Sequence, residues 1–207
     1  PTTAAWYPLS VQGPMARTVE DAALMLSAIA GPDRRSPISI DETGERFRSP
    51  LDRDFSNTQI AWSDDLGGLP VDTAVTTTLQ AHRHVFEDLG CLIRDGEPSF
   101  DGADEAFQVW RAWRFELGFG DLLDEHRDQM KDTVIWNIEA GRVLSGHDVS
   151  RAEKKRTELY HRVQDFLTDH EFLICPVSQV PPFDIDTPYI KEINGVQMDT
   201  YIDWMRS

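Results

Sequence analysis

The stretch from Gln59 to Arg94 constrains the fold more than any other part of the chain. Gln59 to Ser63 is a short apolar run, Asp64-Asp-Leu-Gly-Gly-Leu-Pro70 is a loop, and Asp72 to Leu89 carries Val75, Leu79, His82, Phe86 and Leu89 at helical spacing before Gly90 ends it. Cys91 to Arg94 is a second apolar run. A strand, a helix and a strand with short connections close through a right-handed crossover, which pairs the strands in parallel. Phe172-Leu-Ile-Cys175, closed by Pro176, is a third strand, expected to be covered on both faces.

Most of the remainder reads as helix. Thr18-Val-Glu-Asp21 has the spacing of a capping box and opens a helix over 18–30, with Val19, Ala22, Ala23, Leu26, Ile29 and Ala30 on one face and Gly31-Pro32 as its stop. Ala106, Trp110, Trp113 and Leu117 form a helical stripe widened by Phe107, Phe115 and Phe119, with further helix to about Leu144. Ser150-Arg-Ala-Glu153 has the sequence of a full capping box and predicts the start of a helix that turns Leu159, Val163, Phe166 and Leu167 inward. The expected fold class is α/β, helix-rich, with a short and mostly parallel sheet covered by helices. The expected divisions are 1–37, ending with the capped helix; 38–58, a polar linker; 59–190, an α/β region with a helical insert; and 191–207, a returning tail.

Charge narrows the function. Twenty basic against 36 acidic side chains leave −16, which repels a phosphate backbone or an anionic membrane, so neither nucleic acid nor membrane is an expected partner. The longest apolar run, Ala22 to Ala30, is interrupted by Ser27 and far too short for a span. Cys91 and Cys175 each sit in an apolar run, which suits reduced thiols and a cytoplasmic setting. The chain opens Pro-Thr-Thr with neither an initiator Met nor a signal pattern, and the expectation is that a segment precedes it.

The search for chemistry returns mostly scaffold. The six histidines include no pair three or four apart on a helix, so neither a metal nor another cofactor is expected. None of the twelve serines stands in Gly-x-Ser-x-Gly, and Gly67-Gly68 lacks the residues of a phosphate loop and reads as a flexible turn. A catalytic lysine must be sheltered to stay neutral, yet Lys131, Lys154, Lys155 and Lys191 all lie in polar surroundings. The aromatic stripe reads as core, and Arg111 and Arg114 as solvated partners of nearby carboxylates.

Ser10-Val-Gln-Gly-Pro-Met-Ala-Arg-Thr-Val-Glu-Asp-Ala-Ala-Leu-Met-Leu26, followed by Ile29-Ala-Gly-Pro-Asp33, resembles the stretch that follows the catalytic signature in the amidase-signature family. Ile60 to Pro70, the helix ending Leu89-Gly90, and Leu173 to Pro182 are weaker echoes in the same order. The resemblance implies hydrolysis of a small-molecule amide by a serine nucleophile, a bridging serine and a lysine base, carried in a Gly/Ser-rich segment expected upstream of Pro1. No catalytic residue is therefore assigned here, and the chain alone is expected to be inactive. The chain is likewise expected to stop before the strands with which such proteins return to their core. The central helices fall where this family varies with substrate.

Within the matched segment, Gly13, Pro14, Arg17, Thr18 and Asp21 are given structural roles: a tight turn, a capped helix, and an arginine that satisfies buried carbonyls. Ligands of open parallel sheets gather at the carboxyl ends of strands, which makes Pro176, Val177, Ser178 and Gln179 the expected pocket wall. The family more often has threonines in this loop. Two rivals remain: a binding or interaction module that kept the fold and lost the chemistry, and an acidic docking protein using an exposed Trp110 and Trp113 face. A homo-oligomer is expected if apolar sheet edges are left uncovered.

Overall fold

The computed structural model describes residues 3–9 and 11–207, so Ser10, which opens the Ser10–Asp33 segment, lies outside the described residues. The chain divides into two compact units, residues 1–54 and 55–207. In the first, α1 spans Val19–Ile29, and the Oγ1 of Thr18 accepts the Asp21 N–H at 3.1 Å, as the sequence predicts. The chain leaves helical geometry at Ala30, just ahead of Gly31-Pro32. A 3-10 helix over Gly44–Arg48 packs on α1, so the stretch read as a linker holds an element of its own. A Cβ on Gly44 would stand 2.3 Å from the Ser27 carbonyl oxygen, so that approach requires glycine.

The second unit is built on a three-stranded parallel sheet. β1 (Gln59–Trp62) lies between β2 (Leu92–Asp95) and β3 (Phe172–Ile174), with Ile60 opposite both Ile93 and Phe172. All three strands sit within a residue of their expected bounds. The strand covered on both faces, however, is β1, whose Ile60, Ala61 and Trp62 are buried. β3 is an outer strand of this sheet with Phe172 exposed, so its apolar run marks a half-covered edge instead.

The crossover from β1 to β2 is two helices, α2 (Thr73–Ala81) and α3 (Arg83–Asp88), where one is expected. The break falls at His82, whose ψ of 2° leaves the helix, about one turn after three successive threonines, Thr76, Thr77 and Thr78, with low helix propensity. Thr78 turns its hydroxyl back onto the Ala74 carbonyl at 2.7 Å, a bond that bends helices. His82 and Leu89, expected on the inward face, are exposed.

Between β2 and β3 run α4 (Ala103–His126), α5 (Asp132–Arg142) and α6 (Gly146–Asp169). Arg142 grips Asp124 through two bonds of 2.9 and 2.8 Å, tying α5 to α4. Where these helices meet, a Cβ on Gly141 would fall 2.3 Å from the Ala112 carbonyl oxygen. The capping box of α6 is not at Ser150 but at Ser145: its Oγ accepts the Asp148 N–H at 3.2 Å and Asp148 accepts the Ser145 N–H at 2.9 Å. Ser150 lies one turn inside, its hydroxyl donated to the Gly146 carbonyl at 2.8 Å.

After β3, within the stretch expected to be a returning tail, the chain forms a hairpin of β4 (Glu192–Ile193) and β5 (Val196–Gln197). Asn194 and Gly195 both have positive φ, 50° and 83°, the pair required by a two-residue turn whose twist matches its strands. Ile193 packs with Val180 and Met198 in a small apolar cluster flanked by Ile190 and Trp204. No helix among the described residues is long and apolar enough to cross a membrane.

Candidate functional site

The carboxyl ends of the parallel strands open onto two loops whose conformations are fixed by their own polar groups. After β1, Ser63 Oγ accepts the Leu66 N–H at 2.8 Å, and Asp65 Oδ1 accepts the N–H groups of Gly67 and Gly68, each at 3.0 Å. Together these hold Leu66 at a φ of 53°, a left-handed conformation that a leucine adopts only under such constraint. The Trp62 indole donates to Asp64 at 3.0 Å, Gln80 donates to the same carboxylate, and Arg83 stacks 5.3 Å over the Trp62 ring.

The four residues expected to form a pocket wall occupy three different environments after β3. Val177 projects into solvent at 95% exposure, while Pro176 is buried. Ser178 accepts the Val180 N–H at 3.4 Å. Gln179 is 0% exposed: its Nε2 donates to the Pro70 carbonyl at 3.0 Å and its Oε1 accepts the Arg206 N–H at 2.7 Å. Its own carbonyl accepts the Asp72 N–H at 2.8 Å, so one residue ties the loop after β1 to the chain's last segment.

A cavity of about 440 Å³ lies beside this tie, between the loop after β1, the start of α4 and residues 205–207. Its walls include Leu66, Leu69, Phe100, Phe107 and Met205, with Asp104 and Arg206 as polar members 3.6 Å apart. None of residues 176–179 lines it; Gln179 stands behind, holding the Arg206 backbone. The contributing residues come from distant parts of the sequence, and the local signal for this site is Leu66-Gly67-Gly68, whose glycines by sequence alone mark no more than a flexible turn.

Arg111 departs from expectation. It is half-buried, with its guanidinium carbon 4.9 Å from the Phe115 ring centroid, 5.7 Å from Phe107 and 5.6 Å from Tyr201. Its Nη2 donates to the Tyr201 hydroxyl at 2.7 Å, and buried Asn137 donates to the same oxygen at 2.6 Å. Cation–π contact replaces the predicted solvated ion pair. Trp110 and Trp113 pack edge to face at 5.1 Å and are half-buried, with Arg156 4.6 Å over Trp110, so they form no open docking face.

Of the lysines, Lys131, Lys154 and Lys191 are exposed, and Lys155 is ion-paired with Glu105. Hydrogen bonds from Arg151 and then Lys155 hold the Glu105 carboxyl below its ordinary pKa. Cys91 and Cys175 are free thiols, and burial raises the pKa of Cys175. In the first unit, Gly13 lies in chain without a turn, with open space where a Cβ would project; Pro14 is half-buried. Arg17 is exposed, and Asp21 serves through its backbone N–H to Thr18.

A family model described as Amidase matches residues 5–207. The chain belongs to the amidase family. It is 29% identical over 207 residues to an acylamidase of Rhodococcus erythropolis, a match covering 97% of this chain and 43% of that protein. Over 189 residues it is 25% identical to an amidase of Pseudomonas putida, covering 84% of this chain and 38% of the other. The solved structure of a bacterial aryl acylamidase of the amidase-signature family superposes with a TM-score of 0.83 at 23% identity, over 94% of this chain and 42% of that one. This amidase-family chain thus spans about two fifths of the length of relatives it matches nearly end to end.

Proposed function

We propose that the chain is the scaffold and substrate-side portion of an enzyme that hydrolyses small-molecule amides, and that the reacting groups lie elsewhere in the protein. The observation that carries the reading is the amidase match over residues 5–207, which takes in the capped helix α1, the parallel sheet and the central helices. The exposure or pairing of all four lysines supports the second half, because a lysine base must be kept neutral by burial.

In the proposed reaction a neutral lysine takes a proton through a bridging serine from the nucleophilic serine, whose oxygen attacks the amide carbonyl. Backbone N–H groups stabilise the oxyanion, the amine leaves with the relayed proton, and water releases the acid from the acyl-enzyme. The two free thiols fit a reducing, cytoplasmic setting.

The test has two arms. The purified 207-residue chain is incubated with small aryl amides and a serine-directed fluorophosphonate; neither turnover nor labelling is expected, and hydrolysis lost on changing one of its own serines refutes the assignment of chemistry elsewhere. The whole open reading frame is then assayed on the same amides, and absence of any amide hydrolysis refutes the enzymatic reading.

A further inference from the structure

We propose that the cleft between the last turn of α4, the 3-10 turn at Arg127–Gln129 and α5 docks a basic amphipathic segment of a partner protein, with Trp136 as the apolar anchor and Asp128 and Asp132 as the charges that meet its lysines or arginines. The inference does not rest on the amide-hydrolase reading.

The floor of the cleft is apolar and uncovered. Met130, Ile135 and Trp136 line a volume of about 720 Å³. Among the described residues of the second unit, Trp136 is the one exposed tryptophan, at 44%. Its ring is nevertheless held: it packs edge to face on Tyr201 at 6.1 Å, and the Tyr201 hydroxyl is fixed by Arg111 and Asn137. A large ring that is exposed and already immobile gains from burial and loses little freedom when covered, which is the profile of an interface anchor.

The rim gives the sign of the partner. Five carboxylates and one cation, Arg127, line the cleft. Arg127 is engaged by Glu139 at 2.7 Å, and Asp124 is paired with Arg142. Asp128 and Asp132 have no ion-pair or hydrogen-bond partner among the described residues. Uncompensated like charges around an apolar floor repel one another, and cations brought by a partner relieve that repulsion. A lysine or arginine seated over the Trp136 ring adds cation–π attraction.

The spread of the charges selects the occupant. Among the described residues no three acidic, His or Cys side chains converge closely enough to hold a metal ion, so the cleft is not shaped for a point charge. Asp128 lies on the 3-10 turn, Asp132 at the start of α5 and Glu139 two turns further on, a spacing that suits several cations strung along one segment. A second copy of the chain carries −16 and is repelled from this rim. An amphipathic segment supplies cations and apolar side chains together, one set for the rim and the other for Trp136.

The experiment titrates the 207-residue chain, with labelled methionine and isoleucine methyls, against three fluorescent peptides: one of leucine and lysine at helical spacing, one with glutamate for each lysine, and one with serine for each leucine. The first is expected to bind saturably and to shift the methyls of Met130 and Ile135. The glutamate peptide is expected not to bind, and the serine peptide to bind at least about tenfold more weakly than the first. Asp128→Asn/Asp132→Asn is expected to weaken the first peptide at least about tenfold, and Asp165→Asn/Asp169→Asn, which removes the same charge from exposed positions on α6, less than about twofold. Unmoved Met130 and Ile135 methyls, equal binding of the serine peptide, or equal weakening by the two charge variants overturns the inference, the last by reducing it to general attraction to an acidic chain. Binding that is lost in the protein made from the whole open reading frame overturns it as well. If either variant does not fold, the methyl map and the three-peptide comparison on the unsubstituted chain decide it.

Discussion

The side-chain oxygen of Gln179 accepts the backbone N–H of Arg206 at 2.7 Å, joining the loop after β3 to the segment that closes one side of the cavity. With its amide nitrogen on the Pro70 carbonyl, this one fully buried side chain satisfies two backbone groups at once.

Gln179→Leu keeps the size of the side chain and strands both groups. Each unsatisfied buried partner costs about 1–3 kcal/mol, so a loss of about 2–5 kcal/mol is expected in urea unfolding. A change below about 0.5 kcal/mol shows that the clamp is ornamental.

Gly141→Ala and Gly146→Ala are expected to differ in sign. A methyl at Gly141 collides with the Ala112 carbonyl and forces α4 and α5 apart, at about 1–3 kcal/mol. At Gly146, the first residue of α6, the added Cβ meets open space and alanine's helix preference stabilises by a few tenths to about 1 kcal/mol. Melting temperatures of the two variants read this directly.

Acid weakens the α6 cap. Bonds from the Ser145 hydroxyl and then its backbone N–H hold the Asp148 carboxyl below 3.8. A carboxyl whose folded pKa is lowered contributes stability above its unfolded value, and that contribution is lost as pH falls through the folded one. The melting-temperature gap between the unsubstituted chain and Asp148→Asn is therefore expected to be full above the ordinary carboxylate range and to shrink as pH falls through that range and below it. A gap independent of pH removes the carboxylate from the cap's energetics.

Leu92 and Phe172, on the two outer strands of the parallel sheet, are exposed. Bare strand edges with apolar side chains promote pairing between copies. Sizing the chain across a concentration series is expected to show concentration-dependent species larger than a monomer; a single monomeric peak at every concentration contradicts this.

Short-range signals carry much of the fold. Thr18-Val-Glu-Asp21 names its own helix start, and the spacing of Gln59 to Arg94 is enough for the parallel pairing, because both depend on neighbours in sequence. The cap of α6 falls at Ser145 and not at Ser150, one turn inside, because where the preceding chain turns sets the start of that helix. Asn194-Gly195 is a hairpin signal hidden inside a polar run.

The site is less legible, for a physical reason. Gln179 finds its partners at Pro70 and Arg206, and Arg111 finds Tyr201, through tertiary packing that no local periodicity encodes. The loop at 176–179 stands out by its place at a strand end, which gives an address without saying which way each side chain faces.

The register of β1 imposes an order on assembly. Ile60 meets Ile93 soon after both have left the ribosome, but its other neighbour, Phe172, arrives only when α4, α5 and α6 have been synthesised. Pairings between residues so far apart form late, since a long loop must close before they are rewarded. Until then Ile60, Ala61 and Trp62 have one flank open, an unpaired apolar strand edge of the kind that promotes misassembly.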